Sequence, residues 1–130
     1  MKYLDAEEIL LIHHQLIENY GGIHGTRDIN CIKSAAIAPA QYVFGKEQYT
    51  TVYEKAAVYA RNIIIDHPFN DGNKRTGITC AAMFLNSNGI NLIVKRSELE
   101  KFTVRIAIER LPIEKIANWI KNHSAHNTLN

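Results

Sequence analysis

Several things this 130-residue chain has little of narrow its reading before any motif is considered. Two cysteines occur, Cys31 and Cys80, each inside an apolar helical pattern and neither in a C-x-x-C pair. That argues against a disulfide framework and a zinc site, and fits a reducing cytoplasm. Excess charge is also missing: 15 basic residues against 13 acidic leave a net charge of +2, too little to imply a strong field toward nucleic acid or anionic membrane. Near the N-terminus the apolar stretch Ile9 to Ile12 ends at His13 and His14, far too short for a signal peptide or a membrane span. No repeat, low-complexity segment or linker divides the chain. With 46% apolar residues it has enough for one core, and a single soluble cytoplasmic domain over residues 1–130 is expected.

Apolar spacing then organises the chain. Asp5 and Glu8 form a capping pattern ahead of a helix whose apolar face carries Ile9, Leu16 and Tyr20, with Leu10 and Ile12 beside them, and Gly21-Gly22 ends it. Asp28 is a second N-cap, for a short helix with Ile29, Ile32, Ala35 and Ala36 that stops before Pro39. Residues 41–50 read as a loop or small flap, with Tyr42, Phe44 and Tyr49 either half-buried or contacts for a partner. From Thr51 to Asp66, Val52, Ala56, Tyr59 and Ile63, widened by Ala57, Ala60 and Ile64, predict a heavily buried central helix. A further helix starts near Asn73 with Ile78, Ala81, Ala82 and Leu85 inward and Gly89 past its end. Ile90 to Val94 is a weak strand signal, and Ser97 to Glu109 and Pro112 to His123 read as closing amphipathic helices. An all-α bundle of about six helices, with at most a minor hairpin, is the expected fold.

Between the two core helices lies His67-Pro68-Phe69-Asn70-Asp71-Gly72-Asn73-Lys74-Arg75, the inventory of a phosphate-handling loop feeding a helix N-terminus. An imidazole is the side chain best matched to taking a proton near neutral pH, so His67 is the candidate general base. The other five histidines, His13, His14, His24, His123 and His126, stand outside such a constellation and are read as capping or core residues. Asp71 offers a hard oxygen ligand suited to a nucleotide-bound Mg²⁺, or an N-cap for the following helix. Gly72 lets the backbone approach phosphate and take positive φ. Arg75 presents a planar fork for two phosphate oxygens, whereas Lys74 is a point charge that reaches a terminal phosphate or stays in solvent. Asn73 either donates to phosphate or caps the helix. Phe69 is expected to bury its ring and anchor the loop, and Pro68 to stiffen the turn.

This nonapeptide resembles the His-x-Phe-x-Asp/Glu-Gly-Asn-x-Arg motif of the Fic/Doc family, and Gly21 to Asp28 with Ser34-Ala35 and Pro39 is similar to the start of its death-on-curing toxin branch. The resemblance runs from about residue 3 to residue 123. It implies a Fic fold, ATP as co-substrate with Mg²⁺ on Asp71, His67 as base, and nucleotide contacts from Gly72, Asn73, Lys74 and Arg75. Adenylyltransferases of the family commonly carry glycine before the motif arginine and a second arginine three residues after it, where this chain has Lys74 and Ile78. The toxin branch shares that loss and passes the ATP γ-phosphate to a protein hydroxyl, with elongation factor Tu as the implied target. Gly72 is closer to the general Fic form and keeps AMP transfer as the alternative. No complete inhibitory Ser/Thr-x-x-x-Glu-Gly/Asn motif occurs: Thr50 to Glu54 is followed by Lys55, and His14 to Glu18-Asn19 lacks the hydroxyl residue. Restraint is then expected from a separate antitoxin whose C-terminal segment folds onto the toxin.

One competing reading treats Pro112 to Lys121 as a nucleic-acid recognition helix. Ile113, Ile116 and Ile120 are instead spaced for a core, and Lys115 and Lys121 are too few to neutralise much phosphate backbone, so no DNA binding is expected.

Overall fold

The first three helices begin where side chains supply a cap, and the computed structural model, which describes residues 1–127, shows those caps closed. Asp5 opens α1 (Ala6–Tyr20): its carboxylate accepts the Glu8 N–H at 2.8 Å, and the Glu8 carboxylate accepts the Asp5 N–H at 3.1 Å. Asp28 opens α2 (Ile29–Ile37) by accepting from the Asn30 and Cys31 N–H groups, and Pro39 sits in a single 3-10 turn, Ala38–Ala40. Thr51 and Glu54 repeat the reciprocal cap at α3 (Val52–Asp66). Glu54, half of a partial inhibitory motif in the sequence, therefore serves as a capping residue. After the motif loop come α4 (Asn73–Ser87), α5 (Arg96–Glu109) and α6 (Ile113–Asn122).

Among the described residues, six helices with two small sheets make the all-α bundle that was expected. Residues 41–50 contain the flap as a hairpin, β1 (Tyr42–Val43) against β2 (Lys46–Glu47). Phe44 and Gly45 between them both have positive φ, 51° and 77°, the geometry that matches a two-residue turn to strand twist. The weak strand signal is β3 (Ile90–Leu92), paired antiparallel with β4 (Ser124–His126) from Ile90↔His126 to Leu92↔Ser124. No expectation covered β4, since three residues with little apolar character carry no alternation to read.

α3 is the central helix, packed most extensively on α4 and next on α6. Ala56, Ala57, Tyr59, Ala60, Ile63 and Ile64 are all fully buried. The helix meets α4 closely at Gly77, where an added Cβ would lie 2.8 Å from Ile64 Cγ1 and 2.9 Å from the Ala60 carbonyl oxygen. Lys55 is only 2% exposed, which its charge did not announce. Its ammonium donates to the Pro39 carbonyl at 3.0 Å and to the Glu47 carboxylate at 2.8 Å, tying the hairpin to the core helix.

Three expectations about faces need correction. In α1 the buried residues are Ile9, Ile12, His13 and Ile17; Leu16 is half-buried and Tyr20 is exposed, because the buried stripe turns toward the motif loop in the last turns. Ala82 is half-buried, and Cys80 and Phe84 fill the α4 core face instead. The flap aromatics, read as half-buried or as partner contacts, are half-buried only at Tyr49: Tyr42 is exposed and Phe44 at the turn touches nothing that shields it. A two-residue turn projects its central side chains off the sheet, which removes Phe44 from any core. Cys31 and Cys80 are free thiols, as expected. α6 buries Ile116, Ala117 and Ile120, and Trp119 is stacked between Phe102 and His123 at 3.9 and 4.0 Å. That is core packing, and it removes the motive for a recognition helix.

Candidate active site

The motif loop is short, and nearly every group in it has a stated anchor. α3 ends at His67 in left-handed geometry, φ 49° and ψ 57°, which turns the chain sharply and leaves the imidazole exposed. His67 Nδ1 lies 2.9 Å from the Ile65 carbonyl oxygen. A carbonyl only accepts, so Nδ1 carries the proton and Nε2 presents a lone pair to solvent, the tautomer a base requires.

Phe69 buries its ring, as expected, and the cause lies on α1. His13 stacks flat on it, with ring centroids 3.7 Å apart and planes 6° apart, and its Nε2–H donates to the Asp71 carbonyl at 2.8 Å. Burial pushes the His13 imidazolium below the ordinary histidine range, against the opposing pull of that carbonyl, so His13 is the neutral donor. It is the core histidine that was expected, with a positioning duty that an isolated histidine did not disclose.

Asn73 is corrected more sharply. It is 8% exposed, its Oδ1 accepts the Phe69 N–H at 3.0 Å and its Nδ2 donates to the Phe69 carbonyl at 3.0 Å. The amide oxygen and one amide hydrogen are committed to closing the loop, so its side chain is not a helix cap, and only the second amide hydrogen remains for a phosphate.

Asp71 does not cap α4 either. One carboxylate oxygen accepts the Gly72 N–H at 2.8 Å and the other accepts the Ile23 N–H at 3.0 Å. Gly22 is needed beside it, because with φ 118° a Cβ there would lie 2.8 Å from Asp71 Oδ2. The whole 21–28 segment is laced to the motif: Arg27 and Asp28 donate to the Pro68 carbonyl at 2.7 and 3.0 Å, Asn70 donates to the Gly25 carbonyl at 3.0 Å, and Thr26 bridges Phe69. The upstream glycine segment, a mark of resemblance in the sequence, is thus the mould of the loop. His24 within it pairs with Glu18 at 2.8 Å and lies against His14, an exposed cluster beside His13.

Gly72 is the N-cap of α4 at φ 76°, with no side chain capping the helix. The first-turn N–H groups are therefore open to an anion, reinforced by the helix dipole. Lys74 and Arg75 leave that turn toward solvent, and among the described residues neither forms an ion pair. The Arg75 guanidinium lies over the Tyr20 ring, 4.4 Å from its centroid, which gives the exposed Tyr20 its place. Arg75 also lines a cavity of about 280 Å³ with Leu16, Tyr20, Ile78, Thr79 and Arg96.

The residues fit a metal that arrives with a nucleotide. Each Asp71 oxygen accepts one N–H and retains a lone pair, and among the described residues no group of three or more acidic, histidine or cysteine ligands forms a cage. Mg²⁺ held by one carboxylate together with phosphate oxygens and water has that requirement.

An exposed imidazole at a sharp helix exit lies next to an uncapped helix start with a carboxylate and a guanidinium, an arrangement on a helical bundle that suits phosphate chemistry. The chain belongs to the Fic/DOC family, whose model matches residues 3–85. It is 31% identical over 121 residues to the protein kinase doc of Escherichia phage P1, covering 93% of this chain and 94% of that protein. It is 33% identical over 91 residues to the toxin Doc of Mycolicibacterium smegmatis, covering 70% of this chain and 68% of that one.

Proposed function

We propose that this chain is a Doc-type toxin of a toxin–antitoxin pair, a protein kinase acting in the cytoplasm on a translation factor. The observation that carries the reading is the pairing of an Nε2 lone pair on His67 with the open N-terminus of α4 one loop away. His67 takes the proton from a protein hydroxyl, whose oxygen attacks the γ-phosphorus of ATP. The bond from that phosphorus to the β–γ bridging oxygen breaks, and ADP leaves. The α4 first-turn N–H groups and the Arg75 fork hold phosphate oxygens, with Gly72 allowing their close approach and Lys74 adding a mobile charge. Asp71 would hold Mg²⁺, which neutralises phosphate charge when bound.

Kinase chemistry is favoured over AMP transfer by Lys74 and Ile78, which stand where adenylyltransferases of the family have glycine and a second arginine, and by likeness to a relative named as a protein kinase. Gly72 supports AMP transfer as the second reading. Elongation factor Tu is the target that the family resemblance supplies, and a separate antitoxin is the partner implied by likeness to a protein named as a toxin. Induced expression of this chain alone in bacteria is expected to stop growth and protein synthesis, and His67→Ala to abolish the arrest at equal protein level. Arrest that persists in His67→Ala would mean that toxicity does not run through this chemistry.

A further inference from the structure

The cavity beside Arg75 holds more positive charge than phosphate contacts from the motif alone account for. Its floor is apolar, with Leu16, Ile78 and Leu99, and two guanidiniums stand at its wall: Arg75 from α4 and Arg96 from α5. Both are gathered on Tyr20, 4.4 and 5.4 Å from the ring centroid. A phenol ring attracts cations without neutralising them. The carboxylate at hand is Glu100, 3.4 Å from Arg96, in a pair that is 68% and 63% exposed, and such a surface pair holds little. Arg96 is also the first residue of α5, following Lys95 as N-cap with no side-chain cap, so two cations sit at the positive end of a 14-residue helix. Glu98 in the same first turn offsets part of that unfavourable placement, and a bound anion offsets more of it. Ile78, which stands where a second arginine would fall in the motif helix, lines this same cavity.

We propose, on the basis of the nucleotide reading above, that Arg96 is the second polyphosphate-binding cation of this protein, delivered from α5 in place of a cation on α4. Two forks at one wall suit an anion with several oxygens spread over more than one centre, which describes an oligophosphate better than a lone carboxylate. Arg75 connects the pair to the α4 N-terminus, so a nucleotide phosphate chain running from the motif reaches Arg96 next. Glu100 acts as a stand-in that the phosphates displace.

Calorimetric titration of the intact protein with ATP, AMP and inorganic tripolyphosphate, each with Mg²⁺, tests this. Arg96→Ala is expected to weaken ATP and tripolyphosphate roughly tenfold, the loss of one charge-assisted contact near solvent, while changing AMP less than about twofold. Arg96→Lys recovers part of the loss, and Glu100→Gln tightens ATP. Thermal unfolding of each variant checks that the exposed substitutions leave the fold intact. Wild-type protein that binds ATP, with Arg96→Ala binding ATP and tripolyphosphate equally well, overturns the assignment of Arg96 alone, and points to another anion such as an acidic peptide segment. Wild-type protein that binds neither ligand overturns the nucleotide reading and this inference with it.

Discussion

His67 and His13 lie on either side of the Phe69 turn and divide two tasks between them. His67 is exposed and tied at Nδ1, so His67→Ala should cost transfer about 10²–10⁴-fold with little change in melting temperature. A parallel loss of stability, measured by thermal unfolding, would show that the residue is structural. His13 is buried against Phe69 and titrates reluctantly. Because its folded form binds a proton less readily than its unfolded form, the stability it contributes is complete above about pH 6.5 and declines as pH falls through that value. His13→Gln keeps an N–H for the Asp71 carbonyl and removes the titration, so its melting temperature should fall less than the wild type's from pH 7 to about pH 5. Parallel curves for the two proteins would discount His13 as the titrating group. The roles proposed for His67, Asp71 and Arg75 rest on residue type and spacing. That of Asn73 could not be read so, because whether an amide faces phosphate or closes its own loop depends on a turn at Phe69 that spacing does not describe.

Among the elements, helix starts and the buried stripe of α3 were legible because they are local. Asp5, Asp28 and Thr51 opened helices where the sequence placed them. What escaped depends on contacts far along the chain: β4 gains its strand only by pairing with β3, and Lys55 is buried only because Pro39 and Glu47 come to meet it. Glu47→Ala should leave that ammonium with one carbonyl partner and cost about 1–2 kcal/mol in urea unfolding, below the range for a fully buried pair because Glu47 is 41% exposed. An unchanged midpoint would mean that the hairpin is not tethered this way. At the α3–α4 contact, Gly77→Ala gains helix propensity of about 1 kcal/mol but must displace Ile64 and the Ala60 carbonyl. A net destabilisation of about 1–3 kcal/mol is expected from overpacking, and a stabilised variant would contradict the close approach.

At the scale of the whole molecule, the helical bundle and the Fic/DOC family were both readable before the structure, the first from periodicity and the second from one nonapeptide and its upstream glycines. The spatial reason for that upstream segment was not, since a backbone ladder between residues 25–28 and 68–70 leaves no trace in either segment's composition. The same is true of Arg96, which is remote from the motif in sequence and shares a cavity with Arg75. Base, open helix start and cations together support transfer of a terminal phosphoryl group from ATP to a protein hydroxyl. Incubating the protein with bacterial extract and either γ-labelled or α-labelled ATP measures this most directly. Label on a protein from γ-labelled ATP alone, lost with His67→Ala, is the predicted result; label from α-labelled ATP would make the enzyme an AMP transferase and contradict the account.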